Sequence, residues 1–200
     1  LSESTNHWTL QGWRNSWPST VKSRGSTALG PLHPYIAKAT EKTYHLSDNG
    51  ATQGGVRAIN HTSMDYDDHG NVSRIVVSNN NGNGTLVQSQ TTTNSYGVSE
   101  YDKQKGRLST TSVTLERPGQ TTKTRYSSFT YYTSGTHKGL LKTETLQPDG
   151  GKAQSLTSTH SYDSYGNKTG TSTQGWDGTA TVTRHSPRVV YDSTGRYSQT

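Results

Sequence analysis

The feature that most constrains the fold of this chain is a short motif that recurs along it, a Tyr-Asp pair followed by a Gly and then an Asn or Arg. Asp accepts backbone N–H bonds in turns, and Gly adopts the left-handed conformation at little steric cost. The motif therefore predicts a tight turn, in which Tyr ends one strand and packs on the sheet and Asn or Arg starts the next strand. The four copies comprise Tyr66, Asp67, Gly70 and Asn71; Tyr101, Asp102, Gly106 and Arg107; Tyr162, Asp163, Gly166 and Asn167; and Tyr191, Asp192, Gly195 and Arg196.

The stretches between these motifs alternate Thr, Ser and Val with turn dipeptides such as Asn-Gly and Pro-Gly. β-Branched residues favour strands, and turn dipeptides between such stretches predict hairpins. The pattern predicts strands at residues 72–77, 85–92, 107–115, 121–132, 140–147, 155–162 and 178–184.

Composition limits the kind of core that these strands can build. Leu, Ile, Val and Phe together number 27 of 200 residues, whereas Ser and Thr number 59. The aliphatic fraction is too small for a thick apolar core, and Thr, Ser and Gly are poor helix formers. Twelve Tyr and four Trp supply the remaining large apolar surfaces. We therefore predict an all-β fold built of antiparallel hairpin repeats.

The first part of the chain differs from the rest. Residues 1–35 contain three of the four Trp and three Pro, which predicts an irregular leading segment before a β-sheet region at 36–200. Trp8, Trp13 and Trp17 are candidates for a glycan-stacking platform, and a local aromatic core is the other interpretation of the same cluster.

Charge and cysteine content exclude several classes of protein. The net charge is +6, but basic residues are scattered among acidic ones, which indicates a solvated surface and not a nucleic-acid interface. The chain has no Cys, so it has neither disulfides nor a thiolate zinc site. It also has no apolar run long enough to span a membrane, and Leu1–Trp8 lacks the pattern of a signal peptide.

Acidic and histidine residues leave weaker alternatives open. The acidic run at 65–68 could bind Ca²⁺ through carboxylate oxygens, although its spacing is not that of a calcium loop. Asp163, Asp177 and Asp192 could act as glycosidase acids if folding brought two of them together. The eight His show no metal-binding spacing. The sequence therefore predicts no catalytic residue, no metal and no cofactor.

The longer context of the motifs resembles one known family, the Rhs/YD-repeat proteins. The resemblance covers residues 33–200 and is to the segment just upstream of the regular YD repeats in bacterial Rhs toxins and in the B-type components of Tc toxins. It is carried by the motifs and by the residues Tyr35–Gly50, Met64–Val77, Gly106–Gly119, Gly139–Pro148 and His160–Asn167.

This resemblance implies that the hairpin repeats form a curved or spiralling sheet. The chain would be a non-catalytic structural segment of a hollow β-shell that encapsulates a C-terminal toxin polypeptide. Its partners would be the rest of the same large polypeptide, the enclosed toxin domain and other subunits of a toxin complex, and the protein would be secreted or at the cell surface. The motifs here are spaced more irregularly than regular YD repeats, residues 1–32 match nothing in the family, and the family's self-cleaving aspartyl-protease segment has no counterpart.

Two other functions remain open at this point. An extracellular adhesin or carbohydrate-binding β-domain shares the Thr richness, the Tyr and Trp content and the low charge. An enzyme of polysaccharide processing ranks below both, because the sequence has no nucleophile elbow, phosphate loop or Ser/His/Asp grouping.

Overall fold

The structure, a computed structural model, describes residues 2–11, 33–46, 53–67, 69–97, 102, 106–148, 151 and 153–199. These residues are almost entirely strands and turns. The strands are β1 (Ser2–Gln11), β2 (His33–Leu46), β3 (Gln53–Tyr66), β4 (Val72–Asn81), β5 (Leu86–Tyr96), β6 (Leu108–Glu116), β7 (Lys123–Tyr131), β8 (Leu141–Leu146), β9 (Leu156–Tyr162), β10 (Lys168–Trp176), β11 (Thr181–His185), β12 (Val190–Tyr191) and β13 (Ser198–Gln199).

The strands follow one another in the sheet in the order in which they occur in the chain. β1 to β11 form one 11-stranded sheet, and β12 pairs with β13 in a small ladder of two strands. The pairings described are antiparallel, as expected for neighbours joined by short turns. The predicted all-β fold of antiparallel hairpins is confirmed.

Contacts divide the chain into two compact units. The first unit is Leu1–Arg107 with Val113–Thr124, and the second unit is Leu108–Ser112 with Arg125–Thr200. This division differs from the predicted boundary at residue 35, which falls within β2. The irregular structure predicted for residues 1–35 is wrong for residues 2–11, which form β1. Residues 12–32 lie outside the described residues.

The seven predicted strands correspond to β4–β9 and β11, with small differences at their ends. The largest differences are at β4 and β5, which each continue four residues beyond the predicted end, to Asn81 and Tyr96. β11 begins three residues later than predicted, at Thr181, because Asp177 accepts the N–H groups of Thr179 and Ala180 and holds these residues in a turn. Sequence reasoning missed the two-residue strands β12 and β13 and the longer strands β2, β3 and β10. The three longer strands contain charged residues or Gly, so their side chains favour strands weakly, and pairing with both neighbours forms them.

Polar side chains take the place of a dry core. No hydrophobic side chain is buried among the described residues, and the two buried side chains there are Ser89 and His160. Hydroxyl pairs bridge neighbouring strands instead, at 3.0 Å for Thr114 and Thr124 and at 3.1 Å for Thr145 and Thr157. Such cross-strand pairs each stabilise a sheet by a few tenths of a kcal/mol to about 1 kcal/mol. Among the described residues, no helix has the length and apolar character needed to cross a membrane.

Candidate functional site

The turn at Asp67 joins β3 to β4, and the hydrogen bonds that close it are made by Asp67. Its N–H donates to the carbonyl of Asn71 at 2.8 Å, and the N–H of Gly70 donates to the carbonyl of Asp67 at 3.0 Å. Asp67 Oδ1 accepts the N–H groups of His69 and Asn71 at 2.9 and 2.8 Å, and Oδ2 accepts Asn71 Nδ2 at 2.9 Å. Gly70 has a φ of 81°. The carboxylate therefore satisfies the backbone donors that the turn would otherwise leave unpaired.

The turn at Asp163 joins β9 to β10 and has the same geometry. Asp163 donates its N–H to the carbonyl of Asn167 at 2.9 Å, and Gly166 donates to the carbonyl of Asp163 at 3.1 Å. Asp163 Oδ1 accepts the N–H groups of Tyr165 and Asn167, both at 2.9 Å, and Oδ2 accepts Asn167 Nδ2 at 3.1 Å. Gly166 has a φ of 87°. The motif therefore produces one turn structure in both units.

The last residue of the motif, Asn71 or Asn167, closes the turn. This role differs from the predicted one, which was to start the outgoing strand. β4 begins at Val72 and β10 at Lys168, one residue after Asn71 and Asn167 respectively. The amide of each Asn donates back to the aspartate that begins its turn. This bond was not expected, because the sequence pattern alone does not show that an Asn side chain at this position reaches the carboxylate.

The turn at Asp192 is a looser version that joins β12 to β13. The Asp192 N–H donates to the carbonyl of Tyr197 at 2.9 Å, one residue further along than in the other turns. Asp192 Oδ1 accepts the N–H of Arg196 at 3.0 Å and the hydroxyl of Thr194 at 2.9 Å. Gly195 has a φ of 68°. With Arg in place of Asn, the threonine hydroxyl supplies the additional donor to the carboxylate.

The Asp102 copy closes with an ion pair. The Arg107 guanidinium lies 2.7 Å from Asp102 Oδ1, and the Arg107 N–H donates to the carbonyl of Asp102 at 3.0 Å. Gly106 between them has a φ of 62°. The side chain of Arg107 therefore contacts the aspartate of its copy, as the side chain of Asn71 does in the first copy. Tyr101, the first residue of this copy, lies outside the described residues.

The strand-ending tyrosines of the first unit bridge to a neighbouring strand through their hydroxyl groups. Tyr66 at the end of β3 donates to the carbonyl of Ile36 on β2, and Tyr96 at the end of β5 donates to the carbonyl of Val72 on β4, each at 3.0 Å. Burial raises the pKa of both tyrosines, and the Tyr35 ring beside Tyr66 and the Asp67 carboxylate near Tyr96 raise it further. A hydrogen bond with the Asn94 side chain opposes this rise in the pKa of Tyr96.

The second unit uses the same bond. Tyr131 at the end of β7 donates to the carbonyl of Leu108 at 2.9 Å, and Tyr162 at the end of β9 donates to the carbonyl of Leu141 at 2.8 Å. Leu108 and Leu141 are the first residues of β6 and β8. A weaker contact of 3.5 Å joins the Tyr191 hydroxyl to the carbonyl of Lys168, the first residue of β10. Each tyrosine thus joins the end of its own strand to the start of an earlier one.

Sequence reasoning missed Tyr96 and Tyr131 because neither is followed by Asp. Tyr96 precedes Gly97, and Tyr131 precedes Tyr132. The signal that could have identified them is simpler than the full motif, namely a Tyr at the last position of a strand that is followed by a turn. The tyrosine therefore acts on the sheet independently of the aspartate turn.

Successive turns of the motif contact each other within each unit. In the first unit, a Cβ atom at Gly106 would lie 3.2 Å from Asn71 Oδ1. In the second unit, Asn167 Nδ2 donates to the carbonyl of Gly195 at 2.7 Å, and the Tyr165 hydroxyl donates to the carbonyl of Ser193 at 2.6 Å. In both units the closing Asn of one turn therefore lies against the Gly of the next turn. The turns are stacked, and they touch at the residues that the motif repeats.

An aromatic cluster supports the Asp163 turn from the side. The ring centroids of Tyr132, His137 and Tyr162 lie 5.6 to 6.1 Å apart. His137 Nε2 lies 2.8 Å from the carbonyl oxygen of Asp163, and the Tyr132 hydroxyl donates to the carbonyl of His160 at 3.0 Å. Burial lowers the pKa of His160, as does the nearby positive charge of Lys168, while Glu144 opposes this effect. The cluster packs the loop before β8 against the turn.

The three candidate glycosidase acids serve as turn caps. In Asp163, partial desolvation raises the pKa, but the bonds from Asn167, Tyr165 and Gly166 together bring it below its ordinary value of 3.8. Hydrogen bonds also lower the pKa of the other two acids. The bonds to Asp177 come from the N–H groups of Ala180 and Thr179, and those to Asp192 come from the Thr194 hydroxyl and neighbouring N–H groups. A general acid needs a raised pKa.

The position of Asp177 also separates it from Asp163. It follows the last residue of β10, whereas Asp163 lies before the first, so that nine residues of strand lie between the two turns. At 3.3 Å per residue, the two carboxylates are about 30 Å apart. The alternative in which Asp163 pairs with Asp177 is therefore excluded.

The other candidate ligands have local partners. Asp65 lies 3.7 Å from Arg74 Nη1, and His61 Nδ1 lies 3.0 Å from the Thr40 hydroxyl. In the described part of the chain, no group of three or more His, Asp or Glu side chains is arranged to hold a metal ion. Asp68 lies outside the described residues.

Trp8 lies on β1, and 61% of its surface is exposed. Trp13 and Trp17, the other members of the predicted cluster, lie outside the described residues.

Comparison with known protein families finds no match for this chain, and comparison with curated proteins finds none either.

Proposed function

We propose that this chain is a non-catalytic structural segment of an Rhs/YD-repeat protein, which forms part of a hollow β-shell that encapsulates a C-terminal toxin polypeptide. The observation that carries the proposal is the stacking of successive Tyr-Asp turns. Asn71 lies against Gly106, and Asn167 binds the carbonyl of Gly195. Repeats that contact their neighbours through a fixed set of residues are typical of a wall built by extension along one direction.

The polar character of the sheet also favours a wall. No hydrophobic side chain is buried among the described residues, whereas a two-sheet sandwich needs a packed apolar layer between its sheets. The sheet is stabilised instead by its backbone ladder, by hydroxyl pairs such as Thr130 and Thr143 at 2.6 Å, and by the tyrosine bonds. A sheet that needs no dry core can have water on both faces, as a hollow shell requires.

The proposed partners follow from this role. They are the rest of the same large polypeptide, the enclosed toxin domain and other subunits of a toxin complex, and the proposed location is secreted or at the cell surface. The lowered pKa values of Asp163, Asp177 and Asp192 are consistent with a structural role for the acidic residues.

The test compares the full-length polypeptide in which this chain occurs as wild type, Gly166→Val and Gly55→Val. Gly166 has a φ of 87°, which a β-branched residue adopts with strain, so we expect Gly166→Val to destabilise the fold by more than about 1 kcal/mol. A Cβ atom at Gly55 would have no neighbour within 4 Å, and the backbone there has no positive φ, so Gly55→Val is the matched control. An unchanged melting temperature for Gly166→Val would show that the turn is not needed.

The readouts are electron microscopy and limited proteolysis. We expect hollow particles and a protease-resistant C-terminal segment for the wild type and Gly55→Val. In Gly166→Val that segment should become accessible to protease. Solid or extended particles, together with a C-terminal segment that is digested equally in all three proteins, would contradict the proposal.

The exposure of Trp8 favours a second candidate function, an extracellular adhesin or carbohydrate-binding β-domain. An exposed indole ring on a strand can stack on a sugar. A glycan array probed with wild type, Trp8→Ala and Tyr197→Ala tests this function, because Tyr197 is equally accessible, with 72% of its surface exposed. Binding that only Trp8→Ala abolishes would favour the adhesin, and an absence of binding by the wild type would exclude stacking on Trp8.

A further inference from the structure

A cleft of about 350 Å³ lies in the second unit, beside β10 and distant in sequence from Trp8. Its volume is near the lower end of the range for small-molecule sites. Five of its lining residues carry hydroxyl groups, and none is acidic. The lining residues are Ser161, Thr169, Gly170, Thr171, Ser172, His185, Ser186 and Arg188.

The cleft exists because the backbone departs from regular pairing at this place. The register of β9 with β10 shifts between Lys168 and Gly170, and Gly170 leaves open space, since a Cβ there would have Ser186 Oγ as its nearest neighbour at 3.8 Å. Two backbone bonds attach the chain after β11 to β10. The Ser186 N–H donates to the carbonyl of Thr171 at 2.9 Å, and the Val189 N–H donates to the carbonyl of Thr169 at 2.8 Å. Backbone bonds therefore hold the cleft in shape without a ligand.

The charged groups at the cleft are basic. Arg188 and His185 are both exposed, and neither forms an ion pair in the part of the chain that the structure describes. An arginine can bind a carboxylate or a sulfate through two parallel N–H bonds.

Two of the five hydroxyls have internal partners. Ser186 Oγ accepts the Thr171 N–H and donates to the carbonyl of Pro187, and the Thr171 hydroxyl lies 3.3 Å from His160 Nδ1. The hydroxyl groups of Ser161, Thr169 and Ser172 can donate to, or accept from, the hydroxyl groups of a sugar ring.

We propose that this cleft binds an acidic saccharide unit, with the Arg188 guanidinium on its carboxylate and these three Ser and Thr hydroxyls on its ring hydroxyls. The site is independent of the proposed shell, because all of its residues lie within the second unit. It also differs from stacking on Trp8, because no aromatic ring other than the His185 imidazole lines the cleft.

The test is an NMR titration of the full chain with sodium glucuronate. Parallel titrations with glucose and with sodium acetate test the sugar ring and the carboxylate of glucuronate separately. We expect the amides of Gly170 and Ser186 to shift, and glucuronate to bind at least about tenfold more tightly than either glucose or acetate. If glucuronate binds no more tightly than acetate, or shifts neither amide, the proposal is wrong.

Three variants locate the site. Arg188→Gln removes the charge, Gly170→Ala fills the cleft, and Arg184→Gln is the control, because Arg184 is exposed on β11 but does not line the cleft. We expect Arg188→Gln to weaken glucuronate binding about tenfold and Arg184→Gln to leave it unchanged. Should Arg188→Gln fail to fold, Gly170→Ala must still weaken binding severalfold. Equal losses in Arg188→Gln and Arg184→Gln, or unchanged binding in Gly170→Ala, would overturn the proposal.

Discussion

The two turns that flank β4 have the same backbone structure but different surroundings. In the turn after β4, Gly84 donates its N–H to the carbonyl of Asn81 at 2.9 Å, and Asn81 Oδ1 accepts the N–H groups of Asn83 and Thr85 at 3.1 and 2.9 Å. These are the bonds that Asp67 makes in the turn before β4. The φ angles of the two glycines are 82° and 81°. The local conformation of both turns is therefore the same.

What differs is the contact made by each glycine. A Cβ at Gly84 would have nothing within 4 Å, whereas one at Gly70 would collide with the hydroxyl of Tyr35. The Tyr35 ring in turn packs on Tyr66, with ring centroids 4.5 Å apart. The comparison shows that the motif glycine has two roles, since it allows the turn and also lets a neighbour approach. The ordinary hairpin glycine has only the first role.

This comparison is tested by replacing each of the two glycines with alanine, and we expect these substitutions to have the largest effect on the free energy of unfolding. Gly84→Ala should cost about 1 kcal/mol for the left-handed backbone. Gly70→Ala should cost about 3 kcal/mol, because Tyr35 must also move. Urea unfolding followed by circular dichroism measures both values. Equal losses in the two variants would mean that the contact with Tyr35 does not contribute to stability.

The next effect concerns the residues that cap the two turns. Asp67 accepts three bonds with its carboxylate, and one of these is from the Asn71 side chain, whereas Asn81 accepts two with its amide oxygen. We expect Asp67→Ala to cost about 2 kcal/mol and Asn81→Ala about 1 kcal/mol in the free energy of unfolding. Asp67→Asn should recover most of the loss, because it keeps an acceptor for the two N–H groups. A loss in Asp67→Ala no greater than that in Asn81→Ala would argue against the additional role of Asn71.

A smaller effect is expected from the hydroxyl of Tyr66, the residue that precedes the first of these turns. Tyr66→Phe leaves the ring in place and removes the bond to the carbonyl of Ile36, so it should cost about 1 kcal/mol. Tyr126→Phe is the control, since 46% of Tyr126 is exposed. We expect no measurable change in its melting temperature. A similar loss in both variants would indicate a general effect of the hydroxyl group and not of this bond.

The smallest effect is a dependence on acid pH that separates carboxylate caps from amide caps. The folded pKa of Asp163 is below 3.8, so its contribution to stability is complete above that pH and is lost as the pH falls through 3.8 and below. Asp163→Asn should flatten the curve of unfolding free energy between about pH 5 and 2. Asn81→Asp should make the same curve steeper. If neither substitution changes the slope, the caps are not the groups that titrate.

Much of the turn chemistry could be predicted from the sequence because it is local. The carboxylate or amide oxygen, the N–H groups that it accepts and the left-handed glycine lie within five consecutive residues, as in the turns at Asp67 and Asp163. The partners of the tyrosines could not be predicted. Tyr96 binds a carbonyl 24 positions away, and Tyr162 binds one 21 positions away, so both bonds depend on how the strands pair.

The sequence by itself determined that this chain is built of strands and tight turns, because β-branched residues, Gly and Asp act through the backbone next to them. The tertiary structure alone decided that Asn167 reaches Gly195, that Tyr35 lies over Gly70, and that Gly170 opens a cleft beside Arg188. Each of these contacts joins residues from different strands or turns. Their distances follow from the pairing register of whole strands, which no short stretch of sequence contains.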